Sequence, residues 1–134
     1  MVIRRDALRW LASHYGVDRG AIYASKFYPP EESMTREVAW WIEIPIDRIK
    51  SADTSDIHLV CQVSPDDKNF LYLKVPTQYF REHWHRLGIR NNGRVSLIIS
   101  AEPKSIFVDQ RGTGVAFGQF LQEGCGELGS AISK

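Results

Sequence analysis

This chain of 134 residues has few cysteines, little net charge and no long apolar segment, and each of these features excludes some classes of protein. The formal net charge of +1 gives no global attraction to polyanions or membrane surfaces, so any electrostatic argument has to be local. No apolar run approaches the length needed to cross a bilayer, and the N-terminal residues lack the continuous apolar region of a signal peptide. We therefore expect a cytoplasmic protein with no membrane partner.

The two cysteines, Cys61 and Cys125, stand in different settings. Cys125 lies in a glycine-bounded segment near the end of the chain, whereas Cys61 occupies an inward position of an apparent strand. A disulfide between them is an alternative, but a reducing cytosol favours reduced thiols. We expect Cys61 to be a small core residue.

Signatures of known chemistry are missing as well. The sequence contains no nucleotide fingerprint, metal-ligand quartet or nucleophile elbow. His83 and His85 diverge on a predicted helix, so they cannot share one metal unaided. Glycine-rich residues 111–118 have the wrong spacing for a dinucleotide site and are typical of a tight turn, with an anion site as the alternative. The sequence thus predicts no metal and no cofactor.

What the sequence does contain is a strictly alternating strand at residues 38–46. The opposite face of this strand from its apolar set carries Trp41 two residues from the carboxylate of Glu43. Pro45 cannot donate a ladder hydrogen bond, which predicts that the strand lies on a sheet edge or ends nearby. The apolar set, predicted to face the core, is Val38, Trp40, Ile42, Ile44 and Ile46.

Residues 57–63 and 70–75 flank a turn-rich hexapeptide, which predicts an antiparallel hairpin. A central helix over 77–87 follows at once, with Thr77 as its N-cap and Gly88 as its stop. The predicted inward positions of the hairpin are Ile57, Leu59, Cys61, Val63, Leu71, Leu73 and Val75.

These elements predict a single α+β domain over residues 1–123 with an antiparallel sheet of about five strands. An apolar stripe predicts an N-terminal helix over 4–15. Residues 113–123 are ambiguous between helix and strand, and a C-terminal helix fits slightly better. Residues 124–134 are predicted to be a flexible tail.

The outward positions of the predicted strands carry Trp41, Phe70, Tyr72 and Lys74 on one face. Rings on a sheet beside cationic side chains are typical of modules that bind single-stranded nucleic acid, because bases stack on the rings. Two alternatives stand beside this one. A helix laid on that face would make the rings part of the core, and a second subunit would make them a homodimer interface.

A basic segment at the central helix and its exit favours the same function. Four arginines, accompanied by one acidic residue, Glu82, suffice for a few phosphate contacts and a marked salt dependence. A solvated helix face is the alternative. The four residues are Arg81, Arg86, Arg90 and Arg94.

We therefore favour a nucleic-acid-associated module, in which the three aromatics stack and Lys74 and the four arginines contact phosphate. A protein-interaction or self-association module using the same face is the alternative from another class. Within the nucleic-acid class, residues 11–26 resemble a helix-turn-helix, with a helix followed by an extended strand as the preferred alternative.

A small enzyme without a recognisable motif is the third hypothesis. Its titratable candidates lie on or beside outward strand positions, but no spacing joins them into one site. They are Glu43, His58, Lys74 and Asp109.

Overall fold

The computed structural model of the chain describes residues 3–17, 20–33, 37–64, 69–90, 93–102, 106–109 and 114–122. The helices are α1 (Ile3–Tyr15), α2 (Ile46–Lys50) and α3 (Thr77–Glu82). The strands are β1 (Ala21–Ser25), β2 (Phe27–Tyr28), β3 (Ala39–Pro45), β4 (Asp56–Gln62), β5 (Phe70–Pro76), β6 (Gly88–Arg90) and β7 (Arg94–Ser100). The predicted α+β class is confirmed.

The strands form two sheets, so the single five-stranded antiparallel sheet is wrong. One sheet has the order β1-β4-β5 and the other the order β2-β3-β7-β6. β1 runs parallel to β4, while the other paired strands are antiparallel. The division arises because β1 and β2 are one stretch of chain that leaves the first sheet and joins the second at Lys26.

Where the chain crosses between the sheets, two side chains accept hydrogen bonds from backbone N–H groups. The Oγ of Ser25 accepts the N–H of Trp41 at 2.9 Å, and the Oε1 of Gln62 accepts the N–H of Phe27 at 2.8 Å. Both serine and glutamine are buried, at 3% and 6% exposure. Because buried N–H groups need acceptors, these side chains allow the strand to change sheets without losing hydrogen bonds.

The predicted hairpin is confirmed as β4 and β5, with Leu59 opposite Leu73 and Cys61 opposite Leu71. These four side chains are completely buried. Alternation placed them correctly because one face of this pair packs on the core. The tip of the hairpin lies outside the described residues.

β3 also follows its alternation, since Trp40, Ile42 and Ile44 are buried. Pro45 predicted either an edge strand or a strand that ends nearby. The strand does end at Pro45, but β3 is not an edge strand. It lies between β2 and β7, and Pro45 forms the last register pair with Arg94. A proline at the terminal position removes no interior ladder bond.

α1 confirms the predicted N-terminal helix and lies on the β1-β4-β5 sheet. Its apolar stripe, including Ala7 and Leu11, is buried against that sheet. The chain then enters β1, so the helix-turn-helix resemblance is wrong and a helix followed by an extended strand is confirmed. β1 is strand because residues 21–25 pair along their whole length with β4.

The central helix is shorter than predicted. α3 ends at Glu82, and after His83, whose φ of −108° and ψ of 19° leave the helical region, a 3-10 turn continues over Trp84–Arg86. Thr77 is the first helical residue and not the N-cap, which is Pro76. The buried Thr77 Oγ1 has no hydrogen-bond partner among the described residues.

Within residues 114–122 there is no α-helix, so the favoured C-terminal helix is wrong there. The segment contains a 3-10 turn at Gly118–Phe120 and two isolated bridge residues. Bridges join Asp109 to Ile99 of β7 and Leu121 to Leu73 of β5, and both flank the core between the sheets. The predicted tail at 124–134 lies outside the described residues. In the described part of the chain, no helix is long and apolar enough to span a bilayer.

Candidate nucleic-acid interface

The predicted aromatic face is covered by α1. Phe70 and Tyr72 are 0% and 2% exposed, so the expectation that they stack with bases in this arrangement is wrong. The ring of Trp10 lies 5.8 Å from that of Phe70, and the ring of Tyr15 lies 4.8 Å from that of Tyr72. The alternative, that a helix turns this face into core, holds for these two residues because the apolar stripe of α1 needs a surface to pack on.

Trp41 lies elsewhere, half-buried on the outer face of the second sheet. Its Nε1–H donates to Ser96 Oγ at 2.9 Å, and its ring lies 6.4 Å from that of Tyr28. The neighbouring Lys26 sits 4.8 Å above the Tyr28 ring and forms an ion pair with Glu32 at 3.4 Å. This paired charge leaves Trp41 beside an apolar groove and not beside a basic one.

Arg81 has a structural role at the end of α2. Its Nε and Nη2 donate to the carbonyl oxygens of Ile49 and Ser51, each at 2.8 Å. The last carbonyls of a helix have no partner within it, so this guanidinium caps α2. Its donors are thus used within the fold.

The other predicted cations are spread over the molecule. Lys74 is exposed on β5 opposite His58, and Arg86 is exposed in the 3-10 turn. Arg90 is in β6, and its side chain lies outside the described part. Arg94 begins β7 and is exposed beside the end of β3.

Arg94 and two arginines outside the predicted set, Arg4 and Arg48, lie near Tyr23 in β1. All three act electrostatically on its half-buried phenol. Burial raises the pKa of Tyr23, and all three arginines oppose the increase. Arg4 is further fixed by donation from Nη1 to the Ile22 carbonyl at 2.9 Å. We name Tyr23, Arg4, Arg48 and Arg94 the Tyr23 surface.

The Tyr23 surface is assembled from separate elements. Arg4 comes from α1, Arg48 from α2 and Arg94 from the start of β7. All three are exposed, and a guanidinium presents a planar fork of donors that matches phosphate oxygens. The arrangement can therefore bind an anion next to an aromatic ring.

A polar cavity adjoins this surface, and Arg48 lines both. Its other walls are Gly20, Ala21, residues 53–56 and His58. The Nδ1 of His58 lies 2.6 Å from the hydroxyl of Tyr72. Burial, with a smaller contribution from Asp56, raises the pKa of Tyr72 to about 12, so this hydroxyl keeps its proton at neutral pH.

The half-buried setting of His58 favours its neutral form. Burial lowers the pKa of His58, Lys74 adds to the decrease and Asp56 opposes it. With the buried Tyr72 hydroxyl as the donor to Nδ1, a neutral imidazole carries its proton on Nε2. The Nε2–Cδ2 edge of the ring faces Gly20 across the cavity wall.

The enzyme candidates do not form one site. His58 and Lys74 are register partners in the first sheet, whereas Glu43 belongs to the second. Asp109 is buried beside β7, where its Oδ1 accepts the N–H of Ile98 at 3.0 Å. No group of three histidine, cysteine or acidic residues within the described ranges could hold a metal ion.

Sequence reasoning identified one member of the Tyr23 surface, Arg94, and missed the other three. Arg4 and Arg48 lie 44 residues apart in sequence with no shared motif, and Tyr23 lies in a segment without clear alternation. Only the parallel pairing of β1 with β4 and the position of α2 bring them together. No local pattern in the sequence could have indicated the group.

Comparisons of the chain with models of known protein families, with curated proteins and with solved structures find no match. The function is therefore inferred from the chemistry of the surfaces described above.

Proposed function

We propose that this protein binds single-stranded nucleic acid through the Tyr23 surface. Tyr23 stacks on a base, and Arg4, Arg48 and Arg94 contact the phosphates on either side. The observation that supports this most directly is the position of three exposed arginines around this half-buried ring: Arg4 bonds the Ile22 carbonyl, Arg48 lines a cavity with Ala21, and Arg94 pairs with Pro45 just before α2. Rings combined with cationic side chains are the common basis of single-strand binding.

The local charge is notable because the whole chain has a formal net charge of only +1. Three phosphate contacts on a single strand predict a slope of log affinity against log salt of roughly −2, at about −0.7 per contact. Stacking on one ring adds roughly 1–3 kcal/mol. The expected complex is of modest affinity and strongly weakened by salt.

A single strand fits this surface better than a duplex. The ring of Tyr23 can reach only a base that is unstacked from its neighbours, as bases of single strands are. α1 packs its apolar face on the sheet and contributes Arg4 from its first turn, so it does not present a recognition helix.

Fluorescence anisotropy with labelled single-stranded and duplex oligonucleotides tests the proposal. Arg48→Gln and Arg94→Gln should each weaken single-strand binding and make the salt dependence less steep by about 0.7. Arg5→Gln is the matched control, because Arg5 is an exposed arginine on α1 outside the surface. Equal effects of all three substitutions would reject the Tyr23 surface as the site.

Self-association is a second candidate function, favoured by the groove at Trp41. This groove is mainly apolar and is lined by Tyr28, Trp41 and Ile98. Aromatic residues beside aliphatic ones are typical of protein interfaces. Light scattering over a range of protein concentrations, with Trp41→Ala beside the parent, would reveal a homodimer built on this groove as a mass that falls in the variant.

A further inference from the structure

Apart from Arg48, the polar cavity beside the Tyr23 surface is lined by residues that do not favour phosphate. It offers about 430 Å³ of space, part of it open to solvent. Two of its wall residues, Asp53 and Asp56, carry carboxylates, which repel phosphate and accept hydrogen bonds from hydroxyl groups. Its ligand should therefore bring donors and not negative charge.

The cavity also contains a donor of its own. With the buried Tyr72 hydroxyl as the donor to Nδ1, a neutral His58 presents its N–H at Nε2. A group that both donates to a carboxylate and accepts from an imidazole N–H is a hydroxyl. Thr54 and Ser55, in the same wall, can take either role.

Gly20 keeps the histidine edge accessible. A Cβ at this position would lie 3.8 Å from His58 Nε2, so any longer side chain would cover the donor. The φ of +117° at Gly20 is also a conformation that disfavours other residues. The chain thus leaves the ring open to the cavity.

We propose that this cavity receives the ribose of an RNA strand, and that its contacts to the 2′-hydroxyl make the protein select RNA over DNA. The inference rests on the proposed function, because Arg48 would hold the adjoining phosphate. Ala21 lines the cavity, and Tyr23 follows two residues later on the same side of β1. A ribose in the cavity would therefore lie next to a base stacked on Tyr23. The 2′-hydroxyl is the group by which proteins distinguish the two nucleic acids.

The test compares two oligonucleotides of one sequence, made as RNA and as DNA with deoxyuridine for uridine. The parent protein should bind the RNA about tenfold more tightly, which is the ratio that one hydrogen bond to a charged group supports. Asp56→Asn and His58→Gln should each bring the ratio of the two dissociation constants close to one. The ratio is the readout because removing a carboxylate also raises affinity for both strands.

Asp47→Asn is the matched control, since Asp47 is an exposed acid next to Arg48 on α2 and does not line the cavity. It should leave the ratio unchanged. Circular dichroism verifies the fold of each variant, and Asp56→Asn keeps the test valid if His58→Gln loses its contact to Tyr72.

Each outcome has one meaning. Equal binding of RNA and DNA by the parent, with both weakened by Arg48→Gln, overturns the ribose site and leaves the proposed function standing. An RNA preference that persists in Asp56→Asn and in a folded His58→Gln variant also overturns it. No binding of either strand at low salt overturns the proposed function and this inference with it.

Discussion

Tyr23 and Tyr72 lie on opposite faces of the same sheet and show how different two strand tyrosines can be. Tyr72 shares its face with His58 and is 2% exposed beneath α1. Tyr23, whose register partner is Leu59, is half-buried and faces α2 and the start of β7. The two rings belong to one sheet but to different faces, and the elements that pack over each face decide whether the ring is core or contact surface.

The two tyrosines also differ in the charged groups around their hydroxyls. The Tyr72 hydroxyl has a neutral partner, and burial, more than the charge of Asp56, sets its pKa of about 12. The Tyr23 phenol is also partly desolvated, but three arginines oppose that effect.

The largest contrast is in stability. Phe70→Ala, on the covered face, should lower the free energy of unfolding by about 3–5 kcal/mol, because it opens a cavity beneath Trp10. Tyr23→Ala should cost less, about 1–2 kcal/mol, because its ring is only half-buried where it packs against the core. Denaturant titration of both variants measures the difference, and equal losses would mean that Tyr23 is as structural as Phe70.

Binding should show the reverse order. Tyr23→Ala should weaken single-strand binding by roughly 1–3 kcal/mol, the contribution of one stacked base. Tyr72→Phe should leave binding of single-stranded DNA unchanged, because its ring is buried under α1 and DNA lacks the 2′-hydroxyl that His58 would contact. Anisotropy titration at low salt gives both values, and loss of binding in Tyr72→Phe alone would return the site to the originally predicted face.

Two arginines should show the same contrast between stability and binding, with smaller effects. Arg81→Gln should lower the free energy of unfolding by about 1 kcal/mol, since it removes two hydrogen bonds to the end of α2, and should leave binding intact. Arg94→Gln should do the opposite, with unchanged stability and weaker binding. A binding defect in Arg81→Gln, measured in the same titration, would show that the cap of α2 also contacts the ligand.

The pH dependence gives the smallest effect. Folded His58 has a pKa below 6.5, mainly because it is buried, so the unfolded chain takes up a proton at higher pH than the folded one. The stability that this group contributes is complete above pH 6.5 and is lost as the pH falls through the folded pKa. Denaturant titrations from pH 7.5 to 5 should show that decline in the parent and a shallower one in His58→Gln.

The sequence predicted the elements whose pattern is local. Alternation identified the inward faces of β3, β4 and β5, and the apolar stripe identified α1. It could not predict the parallel pairing of β1 with β4, because Ile22 and its partner His58 are far apart and short strands carry little register information. The end of α3 was misplaced since Trp84 keeps the apolar spacing after the backbone has left the α-helix.

The candidate site depended on that missing pairing. Phe70 and Tyr72 were correctly assigned to one face, and the helix that covers it was one of the stated alternatives. Choosing between a bare and a covered face requires knowing where α1 lies, which no local pattern states. Arg94 alone was predicted as a contact residue and also belongs to the Tyr23 surface.

The crossing of the chain at Ser25 and Lys26 affects how the protein unfolds. Because β1 and β2 are one continuous stretch, and Ser25 and Gln62 hold it to both sheets, neither sheet can shed this strand without disturbing the other. The two sheets should therefore melt in a single cooperative transition, with the most protected amides of both exchanging only through global unfolding.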